Sequence, residues 1–520
     1  PLPFAVSAAT ISKLIAFCAI ISSCLTTFAE DPLTISVPGY FSGRDGLDVK
    51  SVYYRFFEAT EATPGDPKPL FIFLHGMGEQ GTDNAQHVQS HINGLIARTR
   101  TSGQYNAHLL APQEPGGGYN GSAELIEPLI AHLCRNYDID RSRIYVTGLS
   151  LGGGATCTLT GDLPNFFAAS MPLSAPGTAF DTAGMATAAQ WFISGANDSF
   201  TNSVNVVYNA VTAEGNIPPR LTVVPGMGHG QWSSIYNDSA SHTGFYEGGE
   251  PAFNNTVGLY DWCFGHQRSP APALNPTLAE GKTVFVDLGT HYWDMEHLDG
   301  SGRHYNSPEF NSTILGTDPG FAVAGGFKTI DGQNLNMELV ITSKFNNYDN
   351  SGLLHPTLDN NATKDSWYVS SGNTGTFTID GLVPGALHTI EVYASAVHGS
   401  QPSFWSRYDV NGQVQDFNAK DNETGSAVFT NVAADVDGKL TVSVSVTPGS
   451  GSNRAHIGFL SITRQAGGVT NLAPVAATDS PVLDQDTSVV VDVLANDYDV
   501  DSGPQPLSVA GVGTPAHGTA

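Results

Sequence analysis

The chain has 520 residues, too many for a single compact core, and two to four domains are expected. Hydrophobic residues make up 40% of it and the mean hydropathy is −0.10, values that favour globular cores and argue against an integral membrane protein. There are 22 Lys and Arg residues against 49 Asp and Glu residues. The resulting net charge of −27 repels polyanions and disfavours nucleic acid as a partner.

The first long apolar run spans residues 14–25, after Lys13, and is followed by small residues. It is shorter than the ~20 residues that a membrane-spanning helix needs. The pattern predicts a secretory signal peptide at residues 1–29 and a secreted or cell-surface protein, with no transmembrane segment. Cys24 leaves lipoprotein anchoring open as the alternative. Because the chain begins at Pro1 and stops within a pattern at Ala520, we expect it to be part of a longer product.

Strand and helix patterns alternate through residues 31–268, which predicts an α/β domain with a mostly parallel sheet and helices on both faces. The short alternating stretches before residue 61 predict an entry hairpin at a sheet edge. Apolar runs predict the later strands at residues 69–75, 106–112, 144–146, 167–173, 190–194 and 220–224. Helical spacing occurs at residues 123–136, 203–214, 232–237 and 259–265.

The segment Gly148-Leu-Ser-Leu-Gly152 matches the G-x-S-x-G pattern of a nucleophile elbow. The chain must turn sharply from strand to helix there, and glycines allow the two backbones to approach. The turn lifts the Ser150 hydroxyl to the positive end of the following helix. The alternative is that Ser150 is only a helix N-cap.

Two further polar residues follow predicted strands of the same sheet. Asp198 comes just after the strand at 190–194, and His229 follows the strand at 220–224. The order Ser150, Asp198, His229 is the order of α/β-hydrolase triads, with the histidine as base and the aspartate orienting it. Asp198 as a turn residue and His229 as an ordinary loop histidine remain the alternatives.

The predicted oxyanion hole consists of the backbone N–H groups of Met77 and Leu151. Leu151 follows the nucleophile, and Met77 lies in a glycine-flanked loop after the strand at 69–75. His75 is interpreted as a structural residue of that loop, with a role as base as the alternative. Trp232 is expected to pack behind the His229 loop, with substrate contact as the alternative.

Four segments, at residues 74–84, 111–113, 140–153 and 228–232, together resemble the secreted esterases of the α/β-hydrolase superfamily. Feruloyl and acetyl-xylan esterases and the polyhydroxybutyrate depolymerase group are the most similar members, over about residues 51–268.

The resemblance implies a serine esterase without a catalytic cofactor, with Ser150, Asp198 and His229 as triad and Met77 and Leu151 as oxyanion donors. We expect it to remove feruloyl or acetyl groups from polysaccharide. Polyester or small-ester hydrolysis is the alternative, although Met77 stands where the depolymerases usually have cysteine. An inactive surface adhesion protein is the rival from another class.

A Pro- and Ala-rich linker is predicted at residues 269–281, followed by an antiparallel β-sandwich at 282–465. The sandwich resembles galactose-binding-like modules of carbohydrate enzymes. Trp293, Trp367 and Trp405 are either sugar-stacking residues or core and spacer aromatics.

Residues 471–520 resemble a truncated cadherin-like repeat, which suits attachment at a cell surface. Its Asp497, Asp499 and Asp501 either bind a structural calcium ion or form a solvated acidic turn.

Three cysteines remain after signal removal, Cys134, Cys157 and Cys263. A disulfide between Cys134 and Cys157 and burial of all three as small apolar residues are both open. No zinc-binding spacing is present, so no metal site is predicted in the catalytic domain.

Overall fold

The structure is a computed structural model that describes residues 31–469, except 46–47, 64, 102–104, 117–121, 238–245, 248–257, 289–309, 313–321, 350, 354–365, 398 and 400. The predicted signal at 1–29, Trp293, and the repeat at 471–520 with Asp497, Asp499 and Asp501 lie outside the described residues. Within the described ranges no helix combines the length and apolar character needed to cross a bilayer.

The first half of the described chain alternates strands with helices, as the sequence predicts. Its strands are β1 (Val37–Asp45), β2 (Asp48–Phe57), β3 (Lys68–Leu74), β4 (His108–Gln113), β5 (Ile139–Leu149), β6 (Ala169–Leu173), β7 (Ala189–Gly195), β8 (Arg220–Val224) and β9 (Tyr246–Glu247). Its helices are α1 (Asn93–Thr101), α2 (Ser122–Asn136), α3 (Leu151–Asp162), α4 (Thr182–Met185), α5 (Thr201–Ala213), α6 (Ser233–Tyr236) and α7 (Leu259–Phe264).

These strands form a sheet in the order β1-β2-β4-β3-β5-β6-β7-β8-β9, in which β4, β3 and β5 to β8 run parallel. This mostly parallel arrangement, with the strand before Ser150 at its centre, is an α/β-hydrolase fold. Both faces are buried, as a parallel sheet requires. Along β3, Phe71 and Phe73 enter one core, whereas Leu70, Ile72 and Leu74 enter the other.

The second half contains only strands among its described residues. They are β10 (Thr283–Asp287), β11 (Phe310–Ser312), β12 (Ala322–Gly325), β13 (Glu338–Ser343), β14 (Asn347–Asp349), β15 (Ser366–Ser370), β16 (Thr374–Asp380), β17 (Ala386–Tyr393), β18 (Trp405–Val410), β19 (Gln413–Asn418), β20 (Ala427–Ala433), β21 (Leu440–Val446), β22 (Arg454–Ile457) and β23 (Phe459–Val469). Antiparallel pairing dominates, and one apolar core holds residues of the different sheets. The antiparallel sheets are therefore present, while the sandwich itself stays a prediction.

The prediction that the entry hairpin lies at a sheet edge is wrong. β1 and β2 do form a hairpin, but β1 also pairs in parallel with β12, from Tyr40 opposite Ala322 to Ser42 opposite Ala324. The sheet continues from β12 through β13, β16, β21 and β18 to β19. One sheet therefore runs through both halves of the described chain. The pairing with β12 satisfies the backbone N–H and C=O groups that β1 would otherwise expose at an edge.

The predicted linker also contacts both halves. The Asn275 side-chain amide donates to the Glu127 carboxylate of α2 over 2.7 Å, and Leu278 is fully buried in the core of the second half. These contacts hold the segment against both halves of the described chain.

Candidate active site

Ser150 lies at the turn between β5 and α3 in a strained backbone conformation, with φ of 53° and ψ of −116°. Non-glycine residues rarely adopt positive φ, and such strain concentrates at functional sites. The flanking glycines are required sterically, because a Cβ on Gly152 would overlap the carbonyl oxygen of Leu74 and one on Gly148 would overlap that of Gly152. The glycine pattern in the sequence is therefore a direct consequence of this close packing.

The structure brings the three predicted side chains together at the carboxyl ends of β5, β7 and β8. The Ser150 Oγ lies 2.9 Å from Nε2 of His229. On the other side of the ring, Nδ1 of His229 lies 3.0 and 3.1 Å from the two carboxylate oxygens of Asp198. Both distances are within hydrogen-bonding range, so one imidazole connects the hydroxyl to the carboxylate.

Asp198 and His229 differ in their exposure to solvent. The Asp198 side chain is fully buried and also accepts the Phe200 N–H over 2.9 Å, whereas a third of the His229 side chain is exposed. Two aromatic rings contact the imidazole edge to face, Trp232 at 4.6 Å and Phe200 at 5.1 Å between ring centres. The indole N–H of Trp232 donates to the Ser174 hydroxyl over 2.9 Å, which fixes the ring behind the histidine.

The predicted oxyanion donors lie beside the same serine. Leu151 is the first residue of α3, and Met77 lines the cleft that contains Ser150. Neither backbone N–H donates a hydrogen bond to another described residue. Both donors therefore have free capacity on the side of the sheet where Ser150 lies.

His75 has a structural role, as the favoured interpretation expected. Its ring is fully buried, and burial lowers its pKa below the ordinary value. The only consistent tautomer has Nδ1–H donating to the Gly76 carbonyl at 2.7 Å, while Nε2 accepts the Glu114 N–H at 2.9 Å. Both ring nitrogens are therefore engaged in holding backbone, and neither is available as a base.

The cleft above Ser150 has a volume of about 690 Å³. One part of its lining is apolar, with Leu149, Phe200 and Trp232. Trp232 therefore both packs behind His229 and faces the cleft.

The other part of the lining is polar and was not predicted from the sequence; its side chains include Glu79, Gln86, Gln89, Ser90 and His91. The one signal that could have found any of them is the spacing of Gly76 and Glu79, which allows the glutamate half of a capping box, in which a carboxylate at the third helical position accepts the N–H of the N-cap residue.

Other predicted residues lie away from the cleft. Trp367 is buried against Phe345 and Phe377, so it is a core residue and cannot stack on a sugar. Trp405 is 38% exposed.

Cys134, Cys157 and Cys263 are all free thiols, so the disulfide alternative is not formed. Burial raises the pKa of the Cys134 thiol to about 11. Across the described ranges, no three His, Cys, Asp or Glu residues are grouped as a metal ion would require.

No family model matches the chain. A similar curated protein is a poly(3-hydroxybutyrate) depolymerase of Ralstonia pickettii, 26% identical over 175 residues, in an alignment that covers 28% of this chain and 35% of the relative. The chain thus spans about a third of the length of that relative.

Similar solved structures include a thermostable esterase, which is 24% identical with a TM-score of 0.37 in an alignment that covers 46% of this chain and 64% of that one. A ferulic acid esterase is 18% identical with a TM-score of 0.32, and its alignment covers 39% of this chain and 95% of that one. An esterase of Pyrobaculum calidifontis is 14% identical with a TM-score of 0.32, and its alignment covers 45% of this chain and 89% of that one. These TM-scores are low, so the assignment of the fold depends on the strand order and the elbow geometry described above.

Proposed function

We propose that this protein is a serine carboxylic-ester hydrolase that acts through an acyl-enzyme. The observation that carries the proposal is the hydrogen-bonded series from Ser150 Oγ through the His229 imidazole to the buried Asp198 carboxylate, beside a cleft that Ser150 and His229 line. Acyl transfer at neutral pH needs an activated hydroxyl, a base in contact with it and a group that orients the base. These three side chains can supply all of them.

In the proposed reaction, His229 Nε2 takes the Ser150 proton while Oγ attacks the ester carbonyl carbon. The carbonyl oxygen becomes an oxyanion that accepts hydrogen bonds from the N–H groups of Met77 and Leu151. The intermediate collapses, and the leaving alcohol takes the proton from His229. A water molecule then gives a proton to His229 and attacks the acyl carbon; the acid leaves, His229 returns the proton to Ser150 Oγ, and Asp198 stabilises the imidazolium that forms in each step without taking its proton.

The proposed substrates are feruloyl or acetyl esters of a plant or algal polysaccharide, hydrolysed outside the cell. The apolar wall formed by Leu149, Phe200 and Trp232 suits an acyl group, and the volume of the cleft lies in the range of sites that bind small organic groups. Polyester hydrolysis is the second candidate, and the similarity to a poly(3-hydroxybutyrate) depolymerase favours it.

The test compares wild type with Ser150→Ala on feruloylated xylan, acetylated xylan, a polyhydroxybutyrate film and short aryl esters. We expect a fluorophosphonate probe to label the wild type and not the variant, and ester hydrolysis to follow the labelling. A wild type that is not labelled, or a variant labelled equally well, contradicts the proposal. Faster release of acid from the film than from either xylan would select the polyester candidate.

A further inference from the structure

A buried carboxylate closes the loop that carries Met77. Glu79 is 8% exposed, and both of its carboxylate oxygens accept hydrogen bonds. Oε2 accepts the Gly76 N–H over 3.0 Å, and Oε1 accepts the hydroxyl proton of Ser90. The Glu79 backbone N–H in turn donates to the Gly76 carbonyl over 3.1 Å. Glu79 therefore holds Gly76 through both of its backbone polar groups.

Gly76 is the residue whose orientation decides where the Met77 N–H points. The Gly76 carbonyl and the Met77 N–H belong to one planar trans peptide, so they point in opposite directions. Hydrogen bonds from His75 and Glu79 fix the carbonyl, and the Glu79 carboxylate fixes the peptide on the other side of Gly76. Glycine has more backbone freedom than any other residue, so this position has the greatest need for such restraints.

The same carboxylate connects the loop to a neighbouring segment of the cleft lining, residues 86–91. Ser90 belongs to the segment 86–91 that lines the cleft, and its hydroxyl donates to Glu79. A second connection runs in parallel, from the Gln86 side-chain amide to the Gly78 carbonyl over 3.0 Å. The loop and the segment 86–91 are therefore held together in the lining of the cleft that Ser150 also lines.

We propose that Glu79 is a positioning residue for the oxyanion site, acting through the Gly76 N–H and the Ser90 hydroxyl to aim the Met77 N–H at the developing oxyanion. The inference depends on the proposed esterase function. A donor displaced by about 1 Å can cost about 10²-fold in rate. Because the donor acts on the transition state, the loss should appear in kcat and leave KM nearly unchanged.

Three substitutions separate the parts of this role. Glu79→Ala removes both acceptors. Glu79→Gln keeps an oxygen for the Gly76 N–H and offers its amide to the Ser90 hydroxyl. Glu79→Asp keeps the charge but withdraws the carboxylate by one methylene. The matched control is Glu127→Ala, which removes a half-buried, hydrogen-bonded carboxylate on α2 that lies outside the cleft lining.

The measurements are kcat and KM on a short aryl ester, and the inhibition constant of a trifluoromethyl ketone, whose adduct with Ser150 carries an oxyanion. For Glu79→Ala we expect kcat to fall about 10- to 100-fold, with a parallel rise in the inhibition constant and a change in KM of less than about threefold. Glu79→Gln should stay within about threefold of wild type, and Glu79→Asp should lie between the two. Glu127→Ala should match wild type.

Wild-type kcat and inhibition constant in Glu79→Ala, or a loss in Glu79→Gln as large as that in Glu79→Ala, would overturn the inference while leaving the esterase proposal intact. If Glu79→Ala does not fold, Glu79→Asp decides the question, and an unchanged inhibition constant in that variant overturns the inference. A wild type that neither hydrolyses esters nor reacts with a fluorophosphonate would instead overturn the proposed function.

Discussion

Two histidines of this protein are paired with buried carboxylates at the same distances. His229 Nδ1 lies 3.0 and 3.1 Å from the Asp198 oxygens, and His132 Nδ1 lies 3.0 and 3.1 Å from the oxygens of Glu338. The first pair lies at the cleft in the first half of the chain. The second joins helix α2 to strand β13, where the two halves meet. The distance between imidazole and carboxylate therefore does not distinguish a candidate catalytic pair from a structural one.

The difference lies in the remaining partners. The Ser150 hydroxyl lies beyond His229, and among the described residues Asp198 has no Lys or Arg partner. Glu338 is shared with Arg135, whose guanidinium lies 2.8 Å away. Glu338 therefore divides its carboxylate between a histidine and a permanent cation, whereas His229 is the one side chain hydrogen-bonded to the Asp198 carboxylate among the described residues.

The largest expected effect is that of Asp198→Asn. The asparagine would present an N–H to His229 Nδ1 and so place the ring proton on Nε2, where it can no longer accept the Ser150 proton. We expect kcat to fall about 10⁴-fold, measured on an aryl ester, with little change in melting temperature because Asn retains an oxygen for the Phe200 N–H. Glu338→Gln, the matched amide substitution at the other pair, should leave kcat unchanged. Comparable losses in both variants would contradict the functional distinction between the pairs.

Removal of the carboxylate at the second pair should affect stability instead. Glu338→Ala leaves the half-buried Arg135 charge without its partner, and breaking such a pair costs about 3–5 kcal/mol. We expect the free energy of unfolding in urea to fall by about 3 kcal/mol, since Arg135 keeps some access to solvent.

The control replaces both charges, in Glu338→Met with Arg135→Met. Apolar replacement of a whole buried pair is often neutral, so the double variant should recover most of the loss. A double variant no more stable than Glu338→Ala would argue that packing, and not the unpaired charge, sets the cost.

The pH dependence of stability should also distinguish the second pair. Burial alone would raise the pKa of Glu338, but His132, Arg135 and Lys439 outweigh it and hold the pKa below its ordinary value. A carboxyl with a lowered pKa in the folded state contributes stability above its unfolded pKa, near 4.3, and loses it as the pH falls through the folded pKa. Relative to Glu338→Gln, the wild type should therefore have its full stability advantage at pH 7 and a smaller one at pH 3, measured by urea unfolding. An advantage that grows on acidification would contradict this linkage.

Features of this protein that have a local sequence pattern could be predicted, whereas contacts between distant positions could not. The elbow at Ser150 could be predicted because the glycines that permit it are only two residues away. The strands of the α/β domain could be predicted because their apolar runs are visible in the sequence without knowledge of the strands they pair with. The pairing of β1 with β12 and the bond between His132 and Glu338 join positions far apart in the chain, with no local pattern to mark them. For the same reason Trp367 gave no sign of being buried, since its ring packs on aromatic residues from two other segments.

The smallest effect is expected from Trp232→Phe. This substitution tests whether the Trp232 ring beside His229 is a further feature that distinguishes the His229–Asp198 pair from the His132–Glu338 pair. Phenylalanine keeps an aromatic ring beside the imidazole but loses the bond to the Ser174 hydroxyl, so its position behind His229 is less fixed. We expect kcat to fall about threefold and stability to fall by about 1 kcal/mol, the usual net contribution of one hydrogen bond. Trp191→Phe is the control, since it removes an equivalent 2.9 Å bond from an indole N–H to the Thr222 hydroxyl in the core of the same sheet. Both variants should lose similar stability in urea, and only Trp232→Phe should lose activity. Equal kcat values in the two would show that the indole supports the fold alone and that Asp198 suffices to orient the histidine.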